Sequence, residues 1–291
     1  MSMLRIGLVV KRNSPEADDI AAKMLEYIKL RGWKAFIPTN GGVSYPTWSC
    51  GANRIPGHDM HSECEYLVAI GGDGTMLQAA SYTRGDMNRL LPVLGVNVGR
   101  VGYLATTPPE DAVWELSRIS QNEITLAKRT MLRVKHPSNG YFYPVLNDVV
   151  LHWTHRARLI NLYVSIEDDG QFEIRADGII ISTPTGSTAY NYAAGGPLIH
   201  NAIECKSITP ICPFSGLKGT LLLPMSGKLT IMSDGRNEEV GVTIDGHHDF
   251  TLGHRDLEID QFPVPFTLLN PRISSYLDVL KTKLNIVGKQ P

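Results

Sequence analysis

Directly after the apolar run 66–70, the chain reads Gly71-Gly72-Asp73-Gly74-Thr75, one carboxylate set among three glycines. Glycines let a main chain approach phosphate oxygens closely. A carboxylate beside phosphates is repelled unless it binds the accompanying cation or accepts a proton from an attacking hydroxyl. The chemistry that suits such a turn is phosphoryl transfer, with Asp73 as the informative residue. The same five residues also suit a tight glycine turn capped by Asp73, so the motif needs support from elsewhere in the chain.

Two further groups of residues supply it. Asp177-Gly178 and the apolar run 179–181 lead into Ser182-Thr183-Pro184-Thr185-Gly186-Ser187-Thr188-Ala189-Tyr190, with Gly195-Gly196-Pro197 shortly beyond. A hydroxyl-rich loop after a buried strand can bind base edges and sugar hydroxyls through side chains and backbone together, although composition alone reads as an ordinary Ser/Thr loop. Asn147-Asp148 precedes the apolar residues 149–151. An adjacent amide and carboxylate suit paired ribose hydroxyls, the carboxylate accepting both protons. Asn-Asp is also a common turn dipeptide.

These motifs need elements to position them. Residues 4–10 read as a strand. Ser14 then Pro15 supply an N-cap and first helical residue, with Glu16, Asp18 and Asp19 at the positive end of the helix dipole. Ile20, Met24 and Ile28 recur every fourth position, Leu25 broadens the stripe, and Gly32 closes the helix. Run 34–37 fits a second strand, and runs 66–70 and 91–96 read as further strands, unbroken in apolar character like parallel strands covered on both faces. Residues 38–58, rich in Gly, Pro, Ser and Asn, read as a mobile loop. In an open α/β sheet, ligands bind beyond the carboxyl ends of the strands, where the turn 71–75 would lie, and a helix N-terminus there adds positive potential.

From Ile124 the texture changes to short β-rich runs at 132–135, 143–153, 159–167, 179–182, 220–223, 229–232, 240–244 and 257–259, broken by turn signals such as Asp168-Asp169-Gly170. The fold class expected is α/β plus all-β: an N-terminal open α/β nucleotide-binding domain over 1–122 and a β-rich domain over 123–269. Residues 276–284 read as a short final helix, with 270–291 packing back on the first domain. Trp114, within 110–121, reads as a core residue.

Composition bounds the partners. A net charge of -1 over 291 residues offers no concentrated basic field for nucleic acid or an anionic membrane, so a small molecule is expected. Four cysteines, at 50, 64, 205 and 212, have neither paired zinc spacing nor the density of a secreted scaffold and read as reduced thiols. The N-terminal apolar run contains Arg5 and is too short for a secretory signal, and no segment approaches ~18 uninterrupted apolar residues. A cytoplasmic protein is expected.

Taken together and in order, the three motifs closely resemble those of the NAD kinase family, whose members phosphorylate the adenosine-ribose 2′-hydroxyl of NAD to give NADP. The resemblance also covers Gly95-Val96-Asn97-Val98-Gly99-Arg100-Val101-Gly102-Tyr103-Leu104 and Thr243-Ile244-Asp245-Gly246-His247. It implies a phosphofructokinase-like N-terminal domain, a β-rich C-terminal domain, and NAD bound between them. It implies Asp73 as general base flanked by the ligand-contacting Gly72 and Gly74, with Tyr103 and Thr185 also in the site. Asn147 and Asp148 match the pair holding the adenosine part, with Asp148 standing where Glu is more usual. Thr188, Ala189, Tyr190, Asn191, Tyr192 and Ala193 match the segment lining the adenine side. Arg175 and Asp177 match residues around the nicotinamide end, and Arg158 and His247 fall where further contacts are expected. ATP with Mg²⁺ or another divalent cation is the implied donor, with no metal held by protein ligands alone, and a homodimer or homotetramer is implied.

Rival motifs fail on their own terms. His254-Arg255-Asp256-Leu257 imitates a protein-kinase catalytic loop, but Gln261 stands where the metal-binding Asn belongs. Leu77 occupies the position at which a dinucleotide fingerprint needs Gly or Ala, and Leu229 follows Gly227-Lys228 where a Walker A motif needs Ser or Thr. A diacylglycerol-type lipid kinase shares the glycine-acid turn but leaves 177–190 unexplained. A non-catalytic NAD-binding sensor is the remaining alternative.

Overall fold

The computed structural model describes residues 3–39, 47–83, 90–99, 102–154, 159–234 and 240–270, together with 277, 280 and 281. The chain divides into two compact units, one formed by Met1–Lys128 with Phe266–Pro291 and the other by Arg129–Pro265.

The first unit is built on a seven-stranded sheet. Its strands, in spatial order, are Asn53–Pro56, Lys34–Thr39, Arg5–Val10, Tyr66–Gly71, Val93–Asn97, Phe266–Leu269 and Leu126–Arg129. From Arg5–Val10 the chain first adds strands on one side and then returns to pair Tyr66–Gly71, in parallel, on the other. That reversal creates a switch point at the carboxyl ends of Arg5–Val10 and Tyr66–Gly71, the place where open α/β sheets hold ligands. The Pro15–Leu30 helix covers the sheet with Ala17, Ile20, Ala21, Met24, Leu25 and Ile28. It starts where Ser14 accepts a hydrogen bond from the Ala17 N–H and ends before Gly32, which has φ +68°.

Some expectations for this unit need correction. The stretch 38–58 is not simply a loop: Asn53–Pro56 pairs in parallel with Lys34–Thr39 and extends the sheet, while 40–46 lie outside the described residues. Leu126–Arg129 and Phe266–Leu269, read above as part of the second domain, are strands of the first unit's sheet. Four-residue runs carry no periodicity that could say which sheet they join. Trp114 is 55% exposed, because the Ala112–Ser120 helix turns Ala112, Glu115, Leu116 and Ile119 inward and leaves the indole outside under Arg118. Of 276–284, the described residues Leu277, Leu280 and Lys281 are helical.

The second unit is all-β, with one seven-stranded and one six-stranded sheet. Val134, Leu162, Ile231 and Ile259 of the first meet Val149, Leu151, Ile179, Ile181 and Val242 of the second in one apolar cluster. Residues 143–153, a single run in the sequence, form two strands. Phe142–Val145 lies at the edge of the seven-stranded sheet, and Asp148–Trp153 is central in the six-stranded one. The chain changes sheets at Leu146-Asn147. Among the described residues no helix is long and apolar enough to cross a membrane. All four cysteines are free.

Candidate functional site

In the first unit, the Asp73–Tyr82 helix begins as the Tyr66–Gly71 strand ends, with Gly72 as N-cap. Gly71 is required there, since a Cβ would stand 2.2 Å from the Thr75 Oγ1. A Cβ at Gly72 or Gly74 would meet nothing within 4 Å, so these two residues present an open main-chain surface. The first N–H groups of any helix lack intrahelical partners and attract anions.

Asp73 does not simply point away from the turn. Its Oδ2 accepts a hydrogen bond from the Tyr103 N–H at 3.1 Å, and its Oδ1 accepts from the N–H groups of Leu104 at 3.0 Å and Ala105 at 3.4 Å. Gly102 lets the carboxylate lie against the main chain, because a Cβ there would be 2.1 Å from Oδ1. The Val98 N–H donates to the Gly71 carbonyl at 3.0 Å, fastening the same segment to the turn. Tyr103 therefore serves Asp73 through its backbone. Lys11 and Arg12, exposed and just beyond Arg5–Val10, share this end of the sheet, the Lys11 N–H donating to the Ile70 carbonyl at 2.8 Å. Sequence reasoning missed this pair; the signal was two cations at the end of the first strand, interpretable only once that strand was known to border the glycine turn.

In the second unit, the sheet change at Leu146-Asn147 is organised by Asp245. Its carboxylate accepts hydrogen bonds from the N–H groups of Leu146 at 2.8 Å, Asn147 at 2.7 Å and Asp148 at 3.1 Å. The Asp245 N–H in turn donates to the Asp148 carbonyl at 3.0 Å. Asp245 has φ +48° and Gly246 +65°, a left-handed turn that Asp tolerates better than most residues. Asp245 was visible in the sequence as part of a family motif, without a role.

Asp148 is 6% exposed, and among the described residues neither of its carboxylate oxygens has a protein hydrogen bond. Burial first, and then the nearby Asp245 charge, push its carboxyl up to about 7. Burial likewise raises Asp245, to about 6, against the opposing pull of its three backbone donors and of His247. A buried carboxyl without donors is suited to a ligand that brings them.

The hydroxyl-rich loop meets this pair. Ser182 lies opposite Asp148 in the sheet, the Thr183 N–H donates to the Asn147 carbonyl at 2.9 Å, and the Thr183 Oγ1 donates to the Leu146 carbonyl at 2.6 Å. Gly186 packs on Asn147 so closely that a Cβ would be 2.1 Å from its carbonyl oxygen. The loop's hydroxyls are mostly spent inside it: Ser182, Thr183, Ser187 and Thr188 all donate to backbone carbonyls. Each hydroxyl thereby spends its donor within the loop, and half-buried Thr188 keeps only acceptor capacity. These side chains build a rigid loop, and Thr185 is buried with its hydroxyl 3.5 Å from the Asn201 Oδ1.

Asn191 likewise faces inward. Its Nδ2 donates to the carbonyls of Ser187 and Pro197, its Oδ1 accepts from Ser207 and Thr209, and it is fully buried. An amide so engaged has no capacity left for a ligand. Around it, Tyr190 and Tyr192 are 47% and 43% exposed, and Ala193 is also exposed. Thr188 and Ala189 are half-buried.

Arg175 and Asp177 are exposed, with the Arg175 guanidinium over the Phe214 ring at 5.1 Å. Gly178 pairs with His152 and Ser182 with Asp148, so Asp177 lies at the other end of that strand from the Asn147-Asp148 pair. At ~3.3 Å per residue the separation is about 17 Å. The structure does not gather Arg175 and Asp177 with Asn147 and Asp148. His247 is exposed at the Asp245-Gly246 turn, its Nδ1 hydrogen-bonded to the Asp245 carbonyl. Arg158 lies outside the described residues.

Comparison with known proteins bears on both units. The ATP-NAD kinase N-terminal domain family matches residues 6–124, and the ATP-NAD kinase C-terminal domain family matches 146–259. The chain is similar to the NAD kinase of Geotalea daltonii, with 33% identity over 97% of this chain and 98% of that one. It is also similar to that of Koribacter versatilis, with 34% identity over 97% and 98%. Among solved structures, a yeast NADH kinase complexed with NADH shares the fold at TM-score 0.84 and 21% identity, over 100% of this chain and 90% of that one. An NAD kinase from Archaeoglobus fulgidus in complex with ATP does so at TM-score 0.71 and 21% identity, over 97% of each.

Proposed function

Because this chain belongs to the NAD kinase family, we propose that it is a phosphotransferase that carries the γ-phosphate of ATP to the 2′-hydroxyl of the adenosine ribose of NAD and so makes NADP. The observation that carries the assignment of roles is the Asp73 carboxylate, held by the N–H groups of Tyr103, Leu104 and Ala105 beside the open glycines 72 and 74. The triphosphate lies along Gly72 and Gly74 at the helix N-terminus, with Lys11 and Arg12 as the nearby cations. Asp73 takes the 2′-hydroxyl proton. The 2′-oxygen bonds to the γ-phosphorus as the bond to the β–γ bridging oxygen breaks, leaving ADP. Most of the acceleration comes from positioning, since a loose phosphoryl transition state needs little strong base.

Asn147 and Asp148 hold the ribose through groups that the protein itself leaves for a ligand. The adenine lies along Thr188–Ala193, chiefly against main chain and the two exposed tyrosines, because Asn191 is committed to the fold. Asp73 belongs to the first unit, and Asn147 and Asp148 to the second. Asp177, about 17 Å along the strand from the Ser182 that faces Asp148, and Arg175 on the preceding strand reach the nicotinamide end from a second copy of the chain, which calls for a homodimer or homotetramer. His247, beside the ribose pair, adds a further contact.

Among the described residues no group of three or more His, Cys, Asp or Glu side chains gathers as a metal cage. The Asp73 carboxylate already faces three N–H donors. Mg²⁺, or another divalent cation, carried by ATP would neutralise phosphate charge beside Asp73. A cytoplasmic location accords with the free cysteines.

Incubation with Mg²⁺-ATP and either NAD or a diacylglycerol, followed by product identification, tests the reading. NADP supports it, phosphatidate selects a lipid kinase, and no product selects a sensor. Asp73→Asn is expected to lose at least ~100-fold in turnover; near-normal turnover removes Asp73 from the mechanism.

A further inference from the structure

Two buried carboxyl groups meet at the change of sheets, and each is treated differently by the protein. Asp245 receives three backbone N–H donors, from Leu146, Asn147 and Asp148. Asp148 receives none from the described residues, although it is 6% exposed. The two are linked directly, since the Asp148 N–H donates to the Asp245 Oδ1 while the Asp245 N–H donates to the Asp148 carbonyl. Moving Asp245 therefore moves the main chain that carries both Asn147 and Asp148.

We propose that Asp245 is the positioning residue of the ribose clamp, and that the Asp148–Asp245 pair gives up a proton when NAD binds. The inference rests on the reading that Asn147 and Asp148 hold the ribose.

Without a ligand, a second negative charge beside Asp245 is largely buried and has no hydrogen-bond donor among the described residues, so one carboxyl of the pair holds its proton toward neutrality and the two titrate as a unit. Both carboxyls stand well above the ordinary range, at about 7 for Asp148 and about 6 for Asp245. Ribose hydroxyls would bring to Asp148 the donors it lacks, and hydrogen bonds to the charged form favour ionisation. The bound state then holds fewer protons than the free state, so affinity rises with pH. Among the described residues, the charged groups acting on the pair are Asp245, on Asp148, and His247, on Asp245, from the Asp245-Gly246-His247 turn. The strand on the other side, Gly178–Ser182, presents Ser182 opposite Asp148 and no ionisable side chain.

Titration calorimetry of the full chain with NAD, in two buffers of different ionisation heat, counts the protons. At about pH 6.5 the expected release is a substantial fraction of one proton per NAD, falling toward none by about pH 8.5, while the dissociation constant falls by up to ~10-fold per pH unit below pH ~7. Asp148→Asn should bind more weakly and release no proton. Asp245→Asn keeps the volume but offers the three N–H groups one acceptor oxygen; it should raise the dissociation constant for NAD and alter the proton count together, with turnover at saturating NAD reduced less. Equal heats in both buffers at about pH 6.5, with NAD bound, overturn the proton linkage while leaving the kinase reading intact. An Asp245→Asn protein with unchanged affinity and proton count overturns the positioning role. Should that variant not fold, the wild-type count and the Asp148→Asn count decide. Failure to bind NAD at any pH removes the ribose reading and this inference with it.

Discussion

The carboxylate of Asp73 rests against Gly102: a Cβ built on that glycine would stand 2.1 Å from Oδ1 and 2.9 Å from Cγ. The side chain cannot swing aside cheaply, because the next three backbone N–H groups hold it. Gly102→Ala should therefore expel the carboxylate from its cradle and lower turnover by roughly 10-fold or more, within the range of misplaced general bases. Steady-state rates at saturating ATP and NAD, with the circular dichroism spectrum as a check on folding, measure this. Full activity would mean that the cradle is not the reactive position of Asp73.

Asn147 donates its backbone N–H to Asp245, while among the described residues its side chain has no protein partner. Asn147→Ala should thus leave the melting temperature nearly unchanged and weaken NAD binding by roughly 1–3 kcal/mol, the usual effect of an unpaired polar partner. A large loss of stability with affinity intact would make the residue structural instead.

Asp148 links stability to pH. Its carboxyl rises from 3.8 to about 7 on folding, so between those values the folded state holds more protons than the unfolded one. Stability without NAD must then decline as pH rises through this window, by an amount on the order of a few kcal/mol. Asp148→Asn, neutral throughout, should flatten that decline and melt higher than wild type at about pH 8, while binding NAD less well. Thermal melts across pH, with and without NAD, decide it; a variant less stable than wild type at the alkaline end contradicts the assignment.

Asn191 joins the loop carbonyls of Ser187 and Pro197 to the hydroxyls of Ser207 and Thr209. Asn191→Ala strands these buried groups and should cost roughly 1–3 kcal/mol in urea unfolding. Weakened NAD binding without any loss of stability would restore Asn191 as a direct contact.

Lys11 and Arg12 stand at the switch point beside the glycine turn. Replacing both by Ala should raise the KM for ATP by roughly 5-fold, as exposed charge pairs allow, and less so in high salt. The KM for NAD should be unaffected. Equal effects on both substrates would mean that the cations do not sort donor from acceptor.

Much of this was legible without coordinates. The glycine-acid turn follows a buried strand because a run of five apolar residues ends in residues that only a turn accommodates. The Pro15–Leu30 helix follows from Ser14, Pro15 and the Ile20-Met24-Ile28 stripe, all local signals. Asn147-Asp148 and the 182–190 loop could be named from residue type and order. What the sequence alone could not supply were relations between distant residues. It read 143–153 as one strand, since every residue in it suits a strand, whereas the carboxylate of Asp245, 97 residues beyond Asp148, takes the N–H groups that would have continued the ladder. It read Asn191 as a ligand group, whereas the fold saturates that amide, because a side chain's partners are set by what packs against it and not by its type. Local chemistry thus determined which residues could react. Tertiary structure alone decided which are locked into the protein and which, like Asp148, are left for a ligand to complete, because hydrogen-bond partners and burial exist only once remote strands have met.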